Sequence, residues 1–285
     1  MCIGNAQQSV LTERNKTSFA EDTLGYGRYV VGVCMTLEYR DRYVAFVDIL
    51  GFTDLIGRTT GAAPIVKLDE ILSALDVPGE VQLEGIVLGR IGDISSAGHT
   101  LTSFSDCIAV STENSEKGLM NLLFHLRAIA FRMLRLGFLV RGGIAKGKLF
   151  HYEGKVFGPA MIKAYELESM KAVYPRIIID PAISKRALEA EPPIEIIFKR
   201  LVRENDDGYF MVHSLWAIRM AADSEDGFVG EWRTMIEGIA HFLENEAQRL
   251  VSKPKELDKI IWFKKYFDWA RDRSWVDKIN APFPR

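Results

Sequence analysis

The stretch Phe46-Val47-Asp48-Ile49-Leu50-Gly51-Phe52-Thr53 carries an apolar strand into an aspartate and turns at once through a glycine. A carboxylate at a strand end, beside backbone carbonyls, offers hard oxygen ligands. Mg²⁺ takes such ligands in tight octahedral geometry and leaves positions for substrate phosphates. The pattern predicts a metal and nucleotide site at Asp48, with the carbonyl of Ile49 as a further ligand. A second segment, Thr102-Ser103-Phe104-Ser105-Asp106-Cys107-Ile108-Ala109-Val110, sets Asp106 where a short polar turn enters an apolar strand. That strand is predicted to pair with Tyr43–Asp48 as a hairpin. Two carboxylates on neighbouring strands suit two divalent ions, Mn²⁺ or Mg²⁺, about 3.5–4 Å apart, which stabilise attacking and leaving oxygens together.

A third segment, Val140-Arg141-Gly142-Gly143-Ile144-Ala145-Lys146-Gly147, runs through Gly154 to Phe157-Gly158-Pro159 and a helix carrying Ile162, Tyr165 and Glu166. In this order and spacing the three segments resemble the catalytic domain of class III nucleotidyl cyclases, over roughly Arg42 to Trp216. The resemblance implies an α/β (α+β) fold: a ferredoxin-like antiparallel sheet with flanking helices, here followed by a C-terminal helical extension. It also exposes departures. Where adenylate and guanylate cyclases have an asparagine and, four residues on, an arginine, this chain has Ile162 and Glu166. Where those enzymes read a purine, it has Thr102 and Lys155.

The chain is more similar to the pyrimidine cyclases of the Pycsar bacterial anti-phage systems. That resemblance implies conversion of UTP or CTP to the 3′,5′-cyclic monophosphate and diphosphate, a signal read by a separate effector. It leaves UTP against CTP open, and a non-catalytic nucleotide sensor with the same fold remains the alternative reading. It assigns Phe52, Thr102 and Lys155 to substrate binding and implies a two-fold homodimer, with Asp48 and Asp106 of one protomer opposite the last helix of its partner.

The chemistry needs alignment and charge stabilisation more than a covalent nucleophile, because the leaving diphosphate gains negative charge. Arg141 is the first candidate for that charge, Lys155 the next, and Lys199, Arg200 and Arg203 follow; a surface ion pair is the competing reading of Arg141. Cys107 reads as a strand cysteine rather than a nucleophile, and His99, His125, His151, His213 and His241 show no metal spacing.

With 285 residues, 48% of them hydrophobic and 26% charged, the chain has the make-up of an ordinary globular protein, and its formal charge of −2 gives no footprint for nucleic acid or an anionic membrane. Three cysteines without framework spacing point to a reducing cytoplasm, and no apolar run of membrane-spanning length occurs. The expected organisation is a mobile segment over 1–40 with a plausible internal start at Met35, a catalytic domain over 41–217, and a helical extension over 226–285. Apolar spacing predicts a helix near Ile65–Leu75, a loose strand and turn over Val81–His99, a core helix over Lys117–Leu136, and strands at Phe138–Ala145, Arg176–Asp180 and Asp207–His213. Two long amphipathic helices follow, separated at Pro254; the aromatics Trp262, Phe263, Tyr266, Phe267 and Trp269 serve either to pack this tail onto the sheet or to meet a partner.

Overall fold

The computed structural model describes residues 38–52, 98–223 and 230–272. The expected N-terminal segment, the Ile65–Leu75 helix and the Val81–His99 stretch up to residue 97 lie outside the described residues.

The first strand, β1 (Arg40–Leu50), has an apolar run because it is buried on both faces. Tyr43, Ala45, Val47 and Ile49 enter one core cluster, whereas Val44 and Phe46 enter another. This alternation puts Asp48 on the second face, in line with Phe46. Two further strands, β2 (Thr100–Phe104) and β3 (Cys107–Glu113), form a hairpin across the two-residue turn Ser105-Asp106. β3 then lies antiparallel to β1 with Asp48 opposite Cys107, so the carboxylate-bearing segments are neighbours as predicted, although the hairpin itself joins β2 to β3.

Helix α1 (Glu116–Arg135) starts where the Ser115 hydroxyl accepts a hydrogen bond from Gly118 N at 3.0 Å. It supplies Leu119, Leu122, Leu123, Leu126 and Met133 to the first core cluster. Strand β4 (Leu139–Tyr152) follows, longer than its predicted Phe138–Ala145, and returns through β5 (Lys155–Phe157). Helix α2 (Pro159–Glu166) continues into a single π-helical turn (Leu167–Lys171), and these cover the second face of the sheet through Ala160, Ala164 and Leu167.

The Ile-Ile-Ile run forms β6 (Ile177–Ile179), fully buried and parallel to β4. Helices α3 (Pro181–Leu188) and α4 (Ile194–Leu201), then β7 (Val202–Glu204) and β8 (Phe210–Val212), complete an eight-stranded sheet ordered β2-β3-β1-β4-β6-β8-β7, with β5 paired to β4. Apart from the β4 and β6 pair, its strands are antiparallel. The fold is thus mixed α/β with C-terminal helices.

After α5 (Trp216–Asp223), two helices close the described chain: α6 (Glu231–Arg249) and α7 (Pro254–Arg271). They cap one end of the sheet, sharing a core with Leu139 of β4 and Met211 of β8. Phe263, Tyr266 and Phe267 are buried there, so these aromatics of the tail pack it onto the sheet. Burying each stabilises the docking by roughly 1.5–3 kcal/mol before entropy is counted. Tyr266 Oη and His213 Nδ1 lie 2.6 Å apart in this core, a polar bond that fixes the register of α7 against β8.

Candidate metal and nucleotide site

Asp48 stands at the end of β1, and Asp106 in the turn that enters β3. A backbone hydrogen bond, Ile49 N donating to Asp106 O at 2.8 Å, clamps the two segments. One ligand atom each from Asp48, Asp106 and Cys107 lies within 4.8 Å of the others. The Cys107 thiol is pushed up to about 12 by burial and by the Asp106 and Asp48 carboxylates, and its Sγ donates to Asp106 Oδ1 at 3.7 Å. In the metal-free protein it therefore stays a neutral thiol rather than a thiolate nucleophile. The two aspartates beside it are a pair of oxygen donors, which fits a hard divalent cation.

Burial raises the Asp48 carboxyl above the usual range; Arg141 pulls it back, and Asp106 adds to the rise. An ionised Asp48 is thus only partly compensated by the protein itself. A divalent ion held between the two aspartates would complete that compensation.

Arg141 lies directly across the β1 and β4 pairing from Asp48. Its Nη2 donates to Asp48 Oδ2 at 3.4 Å, and the same nitrogen forms a close ion pair with Glu168. Arg141 Nε is buried without a hydrogen-bond partner. Glu168 is 3% exposed, and burial raises its carboxyl while Arg141 lowers it. So Arg141 is not a surface pair on an edge strand: it is a half-buried bridge between one metal-ligand candidate and a buried carboxylate.

Glu168 reaches Arg141 because Gly143 lets the π-helical turn approach the sheet. A Cβ at Gly143 would lie 2.5 Å from Ala164 O and from Leu167 Cβ, and 3.0 Å from Glu168 N. The sequence pattern carries a mark of Glu168 that the cyclase resemblance does not. Ala160 and Ala164 mark the sheet-facing stripe of α2, and one more step of four places a carboxylate on that stripe.

The remaining expected residues are placed elsewhere. Phe52 is buried in the first core cluster, so the structure gives it a packing position rather than a substrate-facing one. Ile49 likewise buries its side chain there. Thr102 lies on the Asp48 face but two ladder positions and two strands away, roughly 7 Å along and 10 Å across. Its hydroxyl lies 2.9 Å from His151 Nε2, whose Nδ1 lies 2.8 Å from Ser111 Oγ. Burial, then Arg42, pushes His151 down to about 4, so it is neutral at pH 7. Lys155 is exposed at the tip of the β4 and β5 hairpin, opposite Tyr152 and eleven ladder positions from Arg141. Within one chain it does not join the carboxylates. Nor do Lys199, which pairs closely with Glu195 on α4, or Arg203, whose guanidinium lies 5.0 Å from the Trp269 ring centre.

Ile162 and Tyr165 project outward from α2 at 60% and 53% exposure, next to Phe104 at 43%. The Tyr165 ring meets Phe46 edge-on at 5.5 Å, and Phe46 lies 6.3 Å from Phe104. These side chains leave an apolar surface beside the aspartates.

No family model and no curated protein matches the sequence. Among solved structures, the chain is similar to the guanylyl cyclase domain of the RhoGC fusion protein of the aquatic fungus Blastocladiella emersonii, with 16% identity and a TM-score of 0.37 over 62% of this chain and 96% of that one. It is similar to a rhodopsin-guanylyl cyclase catalytic core of converted specificity bound to ATPalphaS, at 16% identity and a TM-score of 0.38 over 61% and 96%. It is also similar to a bacterial light-regulated adenylyl cyclase, at 18% identity and 0.35 over 53% of this chain and 46% of that one. Among the described residues no helix is long and apolar enough to cross a membrane.

Proposed function

We propose that this protein is a metal-dependent nucleotidyl cyclase of the pyrimidine type, converting UTP to 3′,5′-cyclic UMP and diphosphate. In this reading the product is a second messenger of bacterial antiviral defence and activates a separate effector. The observation that carries the reading is the oxygen pair Asp48 and Asp106, brought within reach of one ion beside Arg141.

Asp48 and Asp106 would hold the divalent ions, with the Ile49 carbonyl as a further ligand. Bound there, Mn²⁺ or Mg²⁺ supplies Lewis-acid stabilisation of the 3′-oxygen and of the triphosphate. The chain's own part is alignment. The ribose 3′-hydroxyl gives its proton to solvent water, its oxygen forms a bond to the α-phosphorus, and the bond to the bridging oxygen breaks, the electron pair leaving with diphosphate. Arg141 orients Asp48, and its buried, unpartnered Nε–H adds positive potential where charge develops on the leaving diphosphate.

Preference for a pyrimidine rests on Thr102 and Lys155 standing where purine cyclases have their base readers, and on Ile162 and Glu166 in the last helix. Because the polar pair Thr102 and His151 lies away from Asp48 in the same chain, a complete site needs a second copy. The apolar surface of Phe104, Ile162 and Tyr165 suits that two-fold contact. Cytidylate cyclase is the alternative within this mechanism.

The test is to incubate the purified protein with ATP, GTP, CTP or UTP and Mn²⁺ and to resolve the products by mass spectrometry. Cyclic UMP is the expected product. Cyclic CMP alone would change the signal and keep the mechanism, a purine product would overturn the role given to Thr102 and Lys155, and no product from any would favour the sensor.

A further inference from the structure

Beside the aspartates, between the C-terminal helices and the ends of β1 and α1, lies a cavity of about 1450 Å³. Its wall includes Leu50 and Gly51, the two residues that continue β1 past Asp48, together with Pro175 and, from the tail, Lys253 and Lys259. Helix α7 is pinned at this place by stacking: Trp262 lies face to face with Tyr174 at 5.1 Å, and Tyr174 follows Glu168 by six residues. Lys259 stands one helical turn before Trp262, on the side of α7 turned toward the cavity.

Lys259 is half-buried, and among the described residues it has no hydrogen bond or ion pair. Its ammonium nevertheless bears on the carboxylate cluster: burial raises Asp48 and Glu168, Arg141 opposes that rise, and Lys259 opposes it too. A cation with no partner among the described residues, facing a cavity that opens from the strand end carrying a metal-ligand candidate, is placed to meet the part of a nucleotide that extends away from the reacting phosphorus. Of the acidic groups in the same wall, Glu246 is already held by Arg249 at 2.6 Å.

We propose that Lys259 binds the polyphosphate end of the substrate, and that the cavity beside Gly51 receives the leaving diphosphate. The C-terminal helical hairpin is then part of the active site, delivering its cation in the same chain that holds the metals. This inference rests on the nucleotidyl cyclase reading and adds to it a binding residue from outside the sheet domain. A lysine serves here as a compact point charge with three donors, suited to a phosphate that arrives and leaves.

The experiment is calorimetric titration of the full chain with inorganic tripolyphosphate in Mg²⁺, for the parent, Lys259→Gln and Lys259→Arg. Losing one charge-assisted contact should weaken binding about tenfold or more in Lys259→Gln, while Lys259→Arg should stay within about threefold of the parent. Equal affinity in parent and Lys259→Gln, with only the melting temperature changed, would overturn the inference and leave the cyclase reading standing, because Lys259 would then serve only to neutralise Glu168. Weakened tripolyphosphate binding in a protein that cyclises no nucleotide would keep the polyphosphate cavity and overturn the cyclase reading. A parent that binds no tripolyphosphate would overturn the inference, while the cyclase reading would still be decided by whether cyclic UMP forms.

Discussion

Gly143→Ala tests how Glu168 is brought to Arg141. The added Cβ would meet Ala164 O and Leu167 Cβ at 2.5 Å, whereas ordinary contact begins near 3.4 Å, so the segment must retreat by about 0.9 Å. Both atoms belong to a covered face of a packed core, and forced overpacking of this kind costs about 1–3 kcal/mol. In a domain of this size each kcal/mol lowers Tm by about 2–4 °C, which gives a fall of about 2–12 °C. The retreat also moves the Glu168 backbone, whose nitrogen would lie 3.0 Å from the new methyl. Turnover should therefore fall at temperatures where the variant is fully folded. Gly208→Ala is the control: it has φ 80° and, among the described residues, nothing within 4 Å, so it bears only the left-handed strain of about 1–2 kcal/mol and no clash. Thermal denaturation and turnover of both variants, with the double variant Gly143→Ala/Glu168→Gln, make the assay. Since both changes act on one contact, their combined cost should be less than the sum. A Gly143→Ala protein with unchanged Tm and unchanged turnover would refute the reasoning.

Asp48→Asn should raise the Tm of the metal-free protein at pH 7, because burial holds the Asp48 carboxyl above its usual range and the ionised form is disfavoured in the fold. The same variant should lose the stabilisation by Mn²⁺, which at a hundredfold excess over Kd is about 2.7 kcal/mol, or about 5–11 °C, as read by differential scanning fluorimetry. Burial raises the Glu168 carboxyl as well, so Glu168→Gln should likewise raise the urea midpoint of the metal-free protein at pH 7, whereas Arg141→Met, which leaves both carboxylates without their shared cation, should cost about 3 kcal/mol in urea unfolding. His151 is depressed to about 4 in the fold against about 6.5 in the unfolded chain. The stability it contributes is present above pH 6.5 and is lost as pH falls toward 4, at about 1.4 kcal/mol per pH unit. The raised carboxyls of Asp48 and Glu168 slope the opposite way, so the check is the difference in urea midpoints between the parent and His151→Gln at pH 7 and pH 5.

The sequence disclosed what local pattern controls. The apolar run ending at Asp48, the Ser105-Asp106 turn and the Leu-rich helix each announce their own structure, since burial on both faces of β1 and capping by Ser115 leave marks within a few residues. The aromatics of α7 left packing and partner contact both open in the sequence, and the burial of Phe263, Tyr266 and Phe267 selects packing. Long-range pairings were not legible. Glu168 meets Arg141 only because β4 and the π-helical turn fold together over Gly143, and Thr102 meets His151 only because β4 runs on past its predicted end. Lys259 is separated from Asp48 by most of the chain, and nothing in the composition of α7 marks it apart from its neighbouring lysines. Phe52 lies beside the predicted site in sequence, yet its side chain joins the core because the chain has already left the strand end by then.

The most direct test of the central claim, that Asp48 and Asp106 form a divalent-cation site for nucleotide chemistry, is anomalous diffraction from crystals grown with Mn²⁺ and a non-cyclisable UTP analogue. The account predicts a manganese peak within coordination distance of both carboxylates, with the triphosphate against it. Ordered nucleotide with no metal at these aspartates, or manganese bound elsewhere, would contradict it.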